Sequence, residues 1–205
     1  MELPDTSRRL SRSRRRSVEK RETKETEVEV GVDLDGSGRA IVDTGVKFLN
    51  HMLESFATHS LVDLTVRARG DLQHHVVEDV AITLGRALAA ALGERSGIRR
   101  FGYAIVPMDD ALAVAAVDLI RRPYASVQME LERVLVEDAP REDIEHFLPS
   151  LTISLEATVH VRILDGKNDH HKIEASIKAF AIAFRDAATP DPRRGRMYPS
   201  SKGTV

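Results

Sequence analysis

Asp165-Gly166-Lys167-Asn168-Asp169-His170-His171-Lys172-Ile173-Glu174 sets two imidazoles and a carboxylate at the head of a stretch with helical spacing, in which Ile173, Ile177, Phe180, Ala181 and Phe184 fall on one side. Upstream, Gly70-Asp71-Leu72-Gln73-His74-His75-Val76-Val77-Glu78 repeats the His-His-x-x-Glu arrangement. It too follows a strand-like run and opens an apolar-periodic helix, which carries Val77, Val80, Ala81, Leu84, Leu88 and Leu92 and ends near Gly93. The repeat extends further back, because His51 precedes His74 by 23 residues and His146 precedes His170 by 24, each time through helix, strand, loop and helix. Two copies of one unit predict an α+β fold of internally duplicated half-domains, with two mostly antiparallel sheets and helices packed between them.

The 205 residues suffice for one medium domain or two fused halves. The expected division is an arm over 1–24 and a duplicated catalytic domain over 25–205. Within it, the first half covers about 25–110, the second about 111–190, and 191–205 is a tail of loop chemistry. The arm crowds Arg8, Arg9, Arg12, Arg14, Arg15 and Arg16 among serines with almost nothing to bury, so it reads as mobile and solvated. Val28, Val30, Val32 and Leu34 alternate, and Asp35-Gly36-Ser37-Gly38 then turns the chain toward Ala40-Ile41-Val42, the pattern of a hairpin. Phe101–Pro107, Ala111–Ile120 and Ser126–Leu131 suit the middle strands of a sheet, and Asp143–Leu148 a short helix that Pro149 would end.

A net charge of -2 argues against a general nucleic-acid-binding surface. The absence of cysteine leaves His, Asp and Glu as the only ligands for a transition metal. No apolar run approaches a membrane span and the N-terminus lacks the apolar centre of a secretory signal, so the expectation is a soluble cytoplasmic protein with neither membrane nor nucleic acid as partner.

On a helix, residues four apart share a face while adjacent ones point about 100° apart. His74 can therefore join Glu78, and His170 can join Glu174, while His75 and His171 face elsewhere and must serve second centres. With His51 and His146 the inventory is six imidazoles and two carboxylates, enough for two sites of three His and one Glu, within one chain or shared with a neighbouring subunit. Such a site leaves octahedral positions open for water or substrate, and it suits Mn, Fe, Zn, Ni or Co. His160, alone on the polar side of a strand, reads as exposed or as a supporting residue.

Phe48-Leu49-Asn50-His51-Met52-Leu53, the two His-His-x-x-Glu segments, Arg122-Pro123-Tyr124 and Pro199-Ser200-Ser201-Lys202-Gly203 together resemble the imidazoleglycerol-phosphate dehydratases of histidine biosynthesis. The resemblance implies two Mn2+ per subunit and conversion of D-erythro-imidazole-glycerol phosphate to imidazole-acetol phosphate and water. It assigns His51, His75, His170 and Glu174 to one manganese and His74, Glu78, His146 and His171 to the other. Glu25 matches an acidic residue that approaches the substrate, and with the ligands Glu78 and Glu174 it completes the acidic set of the reacting centre. His51, His59, Arg100, Arg122, Lys178, Ser200, Ser201 and Lys202 match positions around the substrate and its phosphate. The resemblance also implies trimers assembling into a 24-subunit shell with sites between subunits. Chemically, a metal-favoured imidazolate form of the substrate expels a hydroxyl through a diazafulvene-like intermediate, and Glu25 or a water it orients moves the neighbouring proton.

Three features depart from that family. Leu72-Gln73 runs into His74 where relatives have three more residues, which removes an N-cap and a supporting partner. Pro149 follows His146 closely, and Arg121 stands where a small residue usually precedes Arg-Pro-Tyr. A two-metal phosphoesterase is disfavoured because one Glu per site is poor in bridging carboxylates. A non-catalytic metal-binding shell is disfavoured because storage requires no phosphate grip.

Overall fold

A computed structural model describes residues 15–203 of the chain. In chain order the elements are β1 (Arg16–Glu22), β2 (Thr26–Asp33), β3 (Ala40–Asp43), α1 (Lys47–Ser60), β4 (Asp63–Gly70), α2 (Gln73–Leu92), β5 (Phe101–Met108), β6 (Ala111–Asp118), β7 (Tyr124–Gln128), β8 (Leu135–Val136), β9 (Ala139–Pro140), α3 (Arg141–Leu155), β10 (Thr158–Asp165) and α4 (Asp169–Ala188). One sheet has the order β1-β2-β4-β3 and the other β5-β6-β10-β7. In each, the first, second and fourth strands of the repeat are antiparallel, and the third pairs in parallel with the fourth. The same order in both sheets is the duplication expressed as topology.

The alternation of β2 sends Val28, Val30 and Val32 inward, and that of β10 sends in Val159, Val161 and Ile163. Against these faces lie α2 on β1 and β2, and α4 on β5 and β6, while α2 meets α3 and α1 meets α4 between the sheets. Small residues permit the close approach. Ala111, Ala113 and Ala115 of β6 and Ala175, Ala179, Ala183 and Ala187 of α4 are all buried, and a Cβ placed on Gly102 of β5 would stand 2.0 Å from the Ala183 carbonyl oxygen. Gly85 serves the contact between halves in the same way, 2.4 Å from the Leu151 carbonyl oxygen. Arg95, 2% exposed, closes that contact by donating to the carbonyls of Leu155 at 2.6 Å and Glu156 at 2.7 Å, which α3 leaves open at its end.

Several expectations are corrected here. The stretch Arg16–Glu22 of the supposed arm is an edge strand paired along its length with β2, its alternation leaving Ser17, Glu19 and Arg21 half-buried and Val18 exposed; Arg8, Arg9, Arg12 and Arg14 lie outside the described residues. No hairpin joins β2 to β3, since β4 inserts between them and β3 pairs with β4 in parallel. The first half ends before β5 and not near residue 110, because Phe101–Met108 belongs to the second sheet, at its edge and not in its middle. The helix carrying His146 runs on through Pro149 to Leu155, so the missing N–H is tolerated where Leu148, Leu151 and Leu155 anchor the segment in the core. No helix among the described residues is long and apolar enough to cross a membrane.

Gly102→Ala forces β5 and α4 apart. Its unfolding free energy, measured by urea denaturation, should fall by about 1–3 kcal/mol.

Candidate metal centre and phosphate pocket

His51 of α1 meets His170 and Glu174 of α4, with one ligand atom from each lying within 4.8 Å of the others. Glu174 Oε2 is 3.6 Å from His51 Nε2 and 3.4 Å from His170 Nε2. The four-residue spacing delivers the second pair from one helix face, and the Phe48 ring, 5.3 Å from that of His170, walls it off from the core. Asn168 starts α4 by accepting from the His170 N–H at 2.9 Å. Lys178, one turn on, donates to Glu174 Oε1 at 2.8 Å. Burial pushes the Glu174 carboxyl up, but the hydrogen bond and charge of Lys178, together with the nearby His51 and His170, hold the pKa below the ordinary glutamate value.

The second set is looser. His146 Nε2 of α3 is 3.2 Å from Glu78 Oε1 of α2, and the His74 ring stacks at 6.1 Å from that of His146. Among the described residues only His51, His170 and Glu174 close to within 4.8 Å. The remaining two histidines stand apart: His75 Nδ1 is 2.8 Å from Asp71 Oδ1 and 3.8 Å from Glu25 Oε2, and His171 Nδ1 is 2.5 Å from Asp110 Oδ1. One chain therefore presents two three-residue groups and two separate imidazoles, instead of two four-ligand sets.

The carboxylates around these rings follow one rule. His74 Nδ1 lies 2.6 Å from Asp143, and His170 Nδ1 3.1 Å from Glu137. Together with His75–Asp71 and His171–Asp110, four of the six imidazoles turn Nδ1 to a carboxylate. An ionised carboxylate only accepts, so Nδ1 carries the proton and Nε2 keeps its lone pair for a ligand. The bond to Asp71 raises the His75 pKa, and that to His171, with the backbone N–H groups of Lys167 and Asn168, holds the Asp110 carboxyl well below the usual range. The shortened segment before His74 does leave α2 without a side-chain cap, yet its histidines keep partners through Asp71 and Asp143. Asp71 was legible four residues before His75; Asp110, Asp143 and Glu137 come from other elements and carried no sequence signal.

Farther along, Arg100, Ile120, Arg121, Arg122, Ser200, Ser201 and Lys202 line an open pocket of about 420 Å³. Arg100 is 9% exposed and grips Asp118 through Nε at 2.6 Å and Nη2 at 2.9 Å, while Nη1 donates to the Pro199 carbonyl at 2.9 Å. Its role in the structure is to fasten the tail that carries Ser200 to Lys202. Arg121 reaches the Gly93 carbonyl at 3.0 Å and adds a cation to the rim. His59 sits half-buried near Lys178, and burial first, then that ammonium, push its imidazole pKa down. Glu25 lies in the turn between β1 and β2, its carbonyl accepting from the Asp71 N–H at 3.0 Å, which places it beside His75 and not in the three-ligand cluster. His160 is exposed on β10, 5.6 Å from the Tyr124 ring.

Residues 44–184 match the family model described as imidazoleglycerol-phosphate dehydratase. The chain is 52% identical to the imidazoleglycerol-phosphate dehydratase of Methanothermobacter thermautotrophicus, over 93% of this chain and 98% of that protein. It is 47% identical to that of Chlorobium phaeovibrioides, over 92% and 94%. Among solved structures, the Pyrococcus furiosus enzyme superposes with a TM-score of 0.79 at 35% identity, covering 91% of this chain and 99% of that one. The Staphylococcus aureus enzyme gives 0.78 at 34% identity, covering 85% and 99%. Sequence and fold thus agree that the chain belongs to the imidazoleglycerol-phosphate dehydratase family of lyases.

Proposed function

We propose that this dehydratase of histidine biosynthesis turns D-erythro-imidazole-glycerol phosphate into imidazole-acetol phosphate and water with two Mn2+ per subunit, in the cytoplasm, and that its sites are completed between copies of the chain in a homo-oligomer, trimers assembling to a 24-mer. The observation that carries the reading is the His51–His170–Glu174 cluster, whose expected fourth ligand, His75, is held elsewhere on the same chain. The donor set fits a divalent transition metal: imidazoles turned so that Nε2 is available, and one carboxylate kept ionised by Lys178. His51, His170 and Glu174, with His75 from a neighbouring copy, would hold one ion; His74, Glu78 and His146, with a neighbour's His171, would hold the other. When bound, the metal would supply Lewis acidity that favours the imidazolate form of the substrate ring.

The remaining steps fall to the chain's own groups. The ring electrons expel the hydroxyl on the carbon next to the ring, giving a diazafulvene-like species, and loss of the proton from the following carbon gives an enol that becomes the ketone. Glu25, beside His75 at the tip of the β1–β2 turn, is exposed enough to reach a neighbouring copy and is the group we assign to that proton. Arg122, before β7, and Ser200, Ser201 and Lys202, on the tail fixed by Arg100, offer charge-assisted and hydroxyl donors to the phosphate. Lys178 and His59 frame the substrate side of Glu174.

Metal-stripped protein should regain turnover on addition of Mn2+, followed as formation of the enolisable ketone; stoichiometric metal without product would end the reading. Glu25→Gln should bind metal and substrate normally while turnover falls by about 10²–10⁴-fold, and full turnover would remove Glu25 from its role. His75→Ala and Glu174→Ala proteins, each inactive alone, should recover activity when dissociated and reassembled together, because some shared sites then contain both residues. A mixture as inactive as its parents would place each site within one chain.

A further inference from the structure

The two halves differ most between their third strand and the helix that follows. In the first half residues 44–46 suffice; in the second, 129–140 intervene and include the two-stranded ribbon β8–β9. Leu135 pairs with Pro140 and Val136 with Ala139, so Glu137 and Asp138 form the two-residue turn. Its first residue has φ of 55°, in the left-handed region where a hairpin turn ordinarily takes Gly or Asn. A bulkier acidic residue there costs backbone strain, and such an outlier invites the question of what its side chain does.

Both acidic residues point at histidine-bearing helices. Glu137 Oε1 accepts from His170 Nδ1 at 3.1 Å. Asp138 reaches across to the other half and accepts from the N–H groups of Lys47 at 2.8 Å and Phe48 at 2.9 Å, the first two of α1. That helix has no side-chain cap from its own Val46 and no acidic residue in its first turn, so Asp138 is both its cap and the negative charge at its positive end. The Asp138 carbonyl accepts from Gln73 Nε2 at 2.9 Å, adding the head of α2. The segment is itself anchored. The buried Asp169 of α4 accepts from the N–H groups of Glu132 and Arg133 at 2.9 and 2.7 Å, and buried Lys172 donates to the Glu130 carbonyl at 2.8 Å.

We propose that the Glu137-Asp138 turn is a positioning device for the His51–His170–Glu174 centre: Glu137 fixes the His170 ring, and Asp138 fixes the helix that brings His51 to it. The proposal rests on the metal reading above, and it names residues outside the ligand set. It explains why a strained turn carries two carboxylates, and why the second half alone has the ribbon: it serves both halves at once.

The test is Mn2+ affinity, by equilibrium dialysis of the intact chain, set beside thermal denaturation of the metal-free protein. Glu137→Gly relieves the backbone and removes the carboxylate. It should leave the melting temperature unchanged or raised while one class of Mn2+ sites weakens by about 10-fold or more. Glu137→Gln, which keeps an acceptor for Nδ1–H, should recover most of that loss. Asp138→Ala should weaken the same class of sites, and Asp138→Ser, still able to cap, should retain most of the affinity; if Asp138→Ala does not fold, the Glu137 pair and Asp138→Ser decide. Wild-type affinity in Glu137→Gly and Asp138→Ala would overturn the proposal alone. A wild-type chain that binds no Mn2+ would instead remove the metal reading beneath it.

Discussion

The structure depends on burying two layers of helix between two sheets while keeping the helix starts wet. A helix enclosed on two sides must be apolar over most of its circumference, as α4 is from Ile173 through Ala188. That concentrates the polar work at the first turns, where His170, His171 and Glu174 stand, with Lys178 one turn further on. The same holds for α2, with His74, His75 and Glu78 on its first turns. Gly102 and Gly85 make the burial possible by letting backbone touch backbone at a strand and at a helix. The polar rim and the tight interior are two aspects of one packing constraint.

Given that constraint, carboxylates decide which way four of the six imidazoles face. Asp71, Asp110, Asp143 and Glu137 each accept a hydrogen bond from an Nδ1–H, which fixes the ring and leaves its Nε2 lone pair free of that contact. Asp143 is 1% exposed, so its bond to His74 is buried at the carboxylate end, whereas those on His75 and His171 stand in the open. Orientation within α2 and α3 is thus built into the core, and orientation at the separated imidazoles is built into surface loops.

Much of this was legible because the motif is repeated. Spacing alone separated His74 from His75 and His170 from His171, and apolar periodicity located α2 and α4. What escaped was non-local. The ribbon at Leu135–Pro140 has no strand-like pattern, since its turn is Glu-Asp and not Asn-Gly. The insertion of β4 between β2 and β3 is a tertiary choice that Asp35-Gly36-Ser37-Gly38, a convincing local turn, conceals. Pro149 suggested a helix end because propensity does not register the buried Leu148, Leu151 and Leu155 that hold the segment in place. Arg100 was readable as a cation near a phosphate, but its commitment to Asp118 and Pro199 required the fold.

The β1 strand shows how a charge-rich sequence can serve order. Its backbone forms one outer border of a sheet, the kind of border that recruits stray strands from other molecules. Arg16, Glu19, Lys20, Arg21 and Glu22 line it, Lys20 paired with Glu29 at 2.5 Å and Arg21 with Asp79 at 2.7 Å. A foreign strand docking there would have to strip water from these charges and break their pairs. The composition that resembled an unfolded arm therefore acts as a guard against aggregation, and it does so while folded.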